Sequence, residues 1–199
     1  MVAHRFSGGG ANRELRHSTH LAMTASRSLP IVLLCTLAAV AYGILHNQIT
    51  ARVCLEYFTI GHPPVFSTDS PTLLALGWGV IATWWVGLIL GIALAVASRA
   101  GRWPKLNASQ LARPLAIMLC AVAIIALLAG VVGHTAAERR WVWLLEPLAS
   151  RVPADRHVAF LTNLWAHSAS YIGGFLGGMT ICAWALVRRS RMATRQKPA

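Results

Sequence analysis

Hydrophobic positions in this chain are not spaced at the intervals of a half-buried helix or strand; they run together. Four stretches, 28–51, 70–98, 114–137 and 157–187, each pass more than 20 residues without an Asp, Glu, Lys or Arg. About 20 apolar residues cross the hydrocarbon core of a bilayer as a helix, because each residue rises about 1.5 Å. A helix also satisfies its own backbone hydrogen bonds where no water can do so. The pattern predicts four transmembrane helices near 29–48, 73–97, 114–134 and 164–187, an all-α integral membrane four-helix bundle. Residues 1–28 then form a basic flexible cytoplasmic tail, 29–187 the membrane domain and 188–199 a second basic cytoplasmic tail.

Composition agrees, with 56% hydrophobic and 12% charged residues, against about 25% charged in a soluble domain. The net charge of +12 acquires meaning from where the cations lie. Arg5, Arg13, Arg16 and Arg27 precede the first helix; Arg99, Arg102, Lys105 and Arg113 follow the second. Arg188, Arg189, Arg191, Arg195 and Lys197 follow the fourth, so these segments hold 13 of 18 basic residues. An even number of spans puts all three on one side, which the positive-inside rule makes the cytoplasm of a bacterial inner membrane. Basic tails facing anionic headgroups need no nucleic-acid partner. The lipid bilayer, and other membrane proteins, are the expected partners. Met23 offers a second start, and Ala39-Val40-Ala41 resembles a signal cleavage site, but the apolar run continues through Leu45 and the first span is expected to be retained.

Without a hydrophobic drive in lipid, helices associate where small residues let backbones approach. Gly87 and Gly91 in the second helix, Ala126, Gly130 and Gly133 in the third, and Gly173/Gly177 with Gly174/Gly178 in the fourth are spaced for that. Trp84 and Trp85 lie too deep for an interfacial belt and are expected to pack in the core or stack on a ligand. The third loop reads as a short interfacial helix, with Trp141, Val142, Leu144, Leu145 and Leu148 toward lipid.

The most distinctive stretch leaves the first helix: Tyr42-Gly43-Ile44-Leu45-His46-Asn47-Gln48-Ile49-Thr50-Ala51-Arg52, then Glu56-Tyr57-Phe58-Thr59 and Gly61-His62-Pro63-Pro64. It resembles a Tyr-Gly-x-x-His-x-Gln-Ile-x-x-Arg-x-x-x-Glu-Tyr-Phe-Thr motif of a family of uncharacterised bacterial multi-pass inner-membrane proteins. The resemblance implies a shared fold and membrane setting and carries no assigned activity or site.

Helix rise places His46, His134 and His167 at one depth near the external ends of three helices, with Asn163 and Tyr171 one turn either side of His167. Glu138 follows His134 at i+4, and Glu56 and His62 come from the first loop. Imidazole with carboxylate suits a divalent transition metal, and a His pair on facing helices suits haem iron. The plainer alternative is that headgroups, water and loop carbonyls satisfy each side chain. Cys35, Cys120 and Cys182 share a depth suited to a soft cation, or act as small hydrophobes. No phosphate loop, dinucleotide fingerprint or nucleophile elbow is present, and no acidic residue lies within a span. Three functions follow: a non-catalytic or accessory membrane protein with its external loop as recognition surface, a metal- or haem-binding protein, or a small solute channel or transporter.

Reporter fusions test the orientation. Those after Arg113 and Gln196 are expected to read cytoplasmic, and those near Ser67 and Ser150 external. A cytoplasmic signal from the Ser67 fusion overturns the assignment.

Overall fold

A computed structural model of the chain describes the backbone of residues 9–196 and the side chains of residues 27–196. Arg5 and Lys197, counted in the basic tails, lie outside the described residues. The elements in order are α1 (Gly9–Val53), α2 (Glu56–Thr59), α3 (Pro71–Arg99), α4 (Ala108–Glu138), α5 (Leu148–Arg151), a 3-10 turn (Ala154–Arg156) and α6 (His157–Arg195). No strand occurs among the described residues. The segments Arg27–Val53, Pro71–Arg99, Ala108–Glu138 and Ala154–Arg195 are long and apolar enough to cross a membrane. The chain is an all-α four-helix bundle.

α1, α4 and α6 outrun the apolar stretches that announce them, and α3 matches its own. The third span, expected to begin at 114, starts at Ala108, so Pro114 sits inside its helix, as Pro30 does in α1. Each costs one ladder hydrogen bond. α4 instead starts at a capping box, where Asn107 accepts from the Gln110 N–H at 3.1 Å and Gln110 accepts from the Asn107 N–H at 3.0 Å. Ser70 caps α3, with Pro71 in its first turn. α1 begins at Gly9 and α6 continues to Arg195, so both stretches expected as tails are largely helical.

The helices associate as two pairs, α1 with α3 and α4 with α6, while α3 and α4 barely touch although they are consecutive. Close approach within pairs requires glycine. A Cβ at Gly79 would lie 2.7 Å from the Ile44 backbone, and one at Gly87 2.8 Å from Thr36 Cα. In the other pair, a Cβ at Gly133 would meet Trp165 at 2.5 Å and one at Gly177 would meet Met118 at 2.6 Å. Gly174 breaks the expectation: a Cβ there meets nothing within 4 Å.

Side chains of α6 clasp the bundle at both ends. At the basic end Arg189, 1% exposed, donates to the carbonyls of Ala97 (2.6 Å), Ala100 (2.6 Å), Pro104 (2.8 Å) and Trp103 (3.3 Å). At the other end, called here the α2 end, Asn163 donates both amide hydrogens, to the Thr50 carbonyl at 2.8 Å and the Cys54 carbonyl at 3.2 Å. One apolar core lies at each end, around Phe58, Trp78 and Phe160, and around Ile31, Leu106 and Leu111.

Three sequence expectations change. Trp84 and Trp85 are each 47% exposed and turned away from the core. In the third loop the helix is a single turn, α5; Trp141, Trp143 and Leu145 are exposed, but Leu144 is buried and Val142 packs against the core. Cys120 is exposed while Cys35 is buried, so the three thiols do not share one interior site.

Gly79→Leu and Gly133→Leu are expected to lower the melting temperature of the detergent-solubilised protein, by an overpacking cost of about 1–3 kcal/mol. Gly174→Ala is expected to leave it unchanged or slightly higher. Equal losses at all three positions would remove the special packing role given to Gly79 and Gly133.

Candidate functional site

α1 ends at Val53 and the chain folds back over that end as α2, burying Tyr57 and Phe58. Four aromatic or imidazole groups gather around Tyr57. Its ring stacks on His167 at 4.6 Å and meets Phe58, His62 and Phe160 at 5.4, 5.2 and 5.2 Å. His62 lies parallel to Phe58 at 5.7 Å and 4.5 Å from Trp78. His46 meets His167 edge-on at 4.5 Å, and Tyr42 stacks on His46 at 5.8 Å. The chain turns tightly at Gly61, where a Cβ would sit 2.5 Å from the Tyr57 carbonyl and 2.9 Å from the Phe160 ring.

The hydrogen bonds fix which way several protons point. The Thr50 hydroxyl donates to the His46 carbonyl at 3.2 Å. Its oxygen therefore accepts from His167 Nε2 at 3.1 Å, which leaves Nδ1 of a neutral His167 as an acceptor. His62 Nδ1 lies 2.8 Å from the Tyr57 carbonyl; a carbonyl only accepts, so Nδ1 carries the hydrogen and Nε2 is an acceptor. Tyr42 and Ser170 share a 2.8 Å hydrogen bond. His46 Nε2 and Asn163 Oδ1 are buried without a partner.

These groups border a cavity of about 110 Å³ between the two helix pairs. At the α2 end Tyr42, His46, Asn47, His62, His167 and Ser170 line it. Toward the basic end its wall is Cys35, Leu90, Leu94, Leu115, Met118 and Ile181, and Gly174 lies along its side. The lining contains no Asp, Glu, Lys or Arg. From Cys35 to Asn47 the wall follows α1 for about 18 Å by helix rise.

Of the six residues expected to converge, His46, His62 and His167 share this cavity. His134 faces outward, 3.1 Å from Thr162 Oγ1 and 3.4 Å from Glu138. Both members of that pair are about half exposed or more, at 49% and 60%. Glu56 is occupied by Arg156 at 3.1 Å and the Cys54 thiol at 3.3 Å. Among the described residues, no three His, Cys, Asp or Glu side chains are grouped to hold a metal ion. Nor does the His46–His167 pair fit haem: with rings 4.5 Å apart, two metal–nitrogen bonds of about 2 Å on opposite sides of an iron do not fit between them. Sequence reasoning missed Thr50 and Tyr57. The signal for both was the polar and aromatic content of the stretch leaving α1, where alternative roles in a loop hid them.

Burial lifts the Cys54 thiol to about 11, so it remains a protonated donor to Glu56. Burial also raises the hydroxyl of Tyr57. For Glu56 burial acts upward, but a backbone N–H, Arg156 and the Cys54 thiol together outweigh it and hold the carboxyl below its usual range. A depressed carboxylate stabilises the fold above its unfolded pKa, about 4.3, and that contribution is lost as pH falls through the lower folded value. Glu56→Gln is expected to cost no more than about 1 kcal/mol at neutral pH, because the pair is partly exposed. It should also remove part of the wild-type stability loss below about pH 4. Superimposable acid-unfolding profiles would show that the Glu56–Arg156 latch contributes nothing.

No family model, no curated protein and no solved structure matches the chain.

Proposed function

We propose that the chain is a multi-pass protein of the bacterial inner membrane, with both termini cytoplasmic, that holds an uncharged apolar molecule between its helix pairs. The observation that carries this reading is the cavity lining: hydrogen-bonding groups confined to the α2 end, apolar side chains along the rest, and no formal charge. Buried polar groups favour a ligand that supplies partners, and an apolar slot favours one with a hydrocarbon body. The cation distribution supports placing the α2 end outside. The polar head of the bound molecule would then sit at the level of the external interface, its body pointing toward the membrane midplane.

The role is binding, accessory rather than catalytic. The loop expected to serve as a recognition surface buries Tyr57 and Phe58 and lends Phe58 and His62 to the cavity wall, so its chemistry is directed at the bundle interior. A proton-driven transporter gains little support from a lining without an ionisable acid or base other than histidine, tyrosine and cysteine.

Gly174→Leu tests the proposal, because its side chain would extend into the cavity where a Cβ meets nothing within 4 Å. Organic extracts of the purified wild type are expected to contain an uncharged apolar species near one per chain, and extracts of the variant several-fold less. The variant's melting temperature should stay within a few degrees. No enriched species in the wild type, or equal amounts in both, overturns the reading.

A further inference from the structure

The cavity's hydrogen bonds define the head of its ligand more narrowly. Resting on the binding role proposed above, we infer that the site selects a molecule whose uncharged head carries a hydroxyl on a single apolar chain. Two groups at the polar end have their proton positions fixed by protein partners. His62 spends its Nδ1 hydrogen on the Tyr57 carbonyl at 2.8 Å, and His167 spends its Nε2 hydrogen on Thr50, whose own hydrogen goes to the His46 carbonyl. The remaining nitrogens, His62 Nε2 and His167 Nδ1, accept in the neutral rings. Both residues line the cavity. An ether, ester or quinone carbonyl has no hydrogen to offer them. A hydroxyl does.

A hydroxyl also accepts. His46 lines the same end and has a buried Nε2 with no partner, and no bond to the protein fixes its tautomer. One hydroxyl can donate to a fixed acceptor and accept from His46, satisfying with one oxygen what a carbonyl satisfies at most in half. A carboxylate or phosphate head finds no cation in the lining, and its charge would be buried without a partner. The wall from Cys35 to Asn47, about 18 Å by helix rise, accommodates an extended chain. Lipid alcohols and quinols share this chemistry.

Binding of radiolabelled probes to the full chain in nanodiscs decides the matter. Decanol is compared with decyl methyl ether, and a decyl-substituted benzoquinol with its benzoquinone, so that each pair differs in the hydroxyl hydrogen. The expected result is a preference on the order of tenfold for the hydroxyl member. A preference in the first pair alone assigns lipid alcohols, in the second alone quinols, and either supports the inference. His62→Phe keeps a flat ring beside Phe58 and Trp78 but removes the acceptor, and is expected to reduce the preference several-fold; an unchanged preference overturns the role of His62 in head selection. The wild-type ratios decide the inference even where that variant fails to fold. Equal binding within both pairs, abolished by Gly174→Leu, overturns the hydroxyl inference and leaves the cavity reading intact. Absence of binding by every probe overturns both.

Discussion

A helix that ends in apolar surroundings leaves carbonyls that something must answer, and this bundle depends on one element to answer them. α6 supplies Asn163 to the carbonyls of Thr50 and Cys54 where α1 ends, and Arg189 to the carbonyls of Ala97, Ala100, Trp103 and Pro104 where α3 ends. A planar guanidinium suits the second task, since its rigid fork reaches several acceptors at once and its charge complements the negative end of a helix. These clasps couple the α1–α3 pair to the α4–α6 pair at opposite ends. Between the clasps the pairs are less closely packed, and the cavity occupies that interval.

The polar end of the cavity is built without formal charge. Glu56 and Arg156 satisfy each other at the perimeter, and Arg52 is held by Gln48 and Thr72 at the ends of α1 and α3. Inside, imidazoles and phenols pack on one another's faces and edges, geometries that suit aromatic quadrupoles. The result is an interior rich in hydrogen-bonding capacity that an apolar molecule can enter without meeting an ion.

What the sequence discloses follows from what is additive along a helix. Charge-free runs specify four membrane-length helices because hydropathy sums residue by residue. Depth is legible for the same reason, and His46 and His167 do meet at one level. Azimuth is not: each step turns a side chain by about 100°, so His134, one residue from the interface-facing Gly133, points elsewhere. Glycine spacing carries the same ambiguity, marking Gly87 and Gly177 as contacts but not distinguishing Gly174, which borders open space. Arg189 reads as one tail cation among several until the fold wraps it in carbonyls. The start of α4 lies earlier than the charge-free run indicates because the helix begins at the Asn107 capping box rather than after the last cation of the loop, Arg113.

Both clasps reside on the last of the four long helices, and that has a consequence for biogenesis. On the multi-pass topology proposed above, α1 and α3 are positioned by their own hydropathy while the carbonyls at their ends still face water or headgroups. They remain so until α6 arrives with Asn163 and Arg189. Insertion and closure are then distinct events, consistent with helices that are each stable before they associate. The interval between them leaves the space between the pairs open to the surrounding lipid. On the binding role proposed above, a membrane molecule can reach the space between the pairs before α6 docks, so binding can begin during insertion rather than only after it.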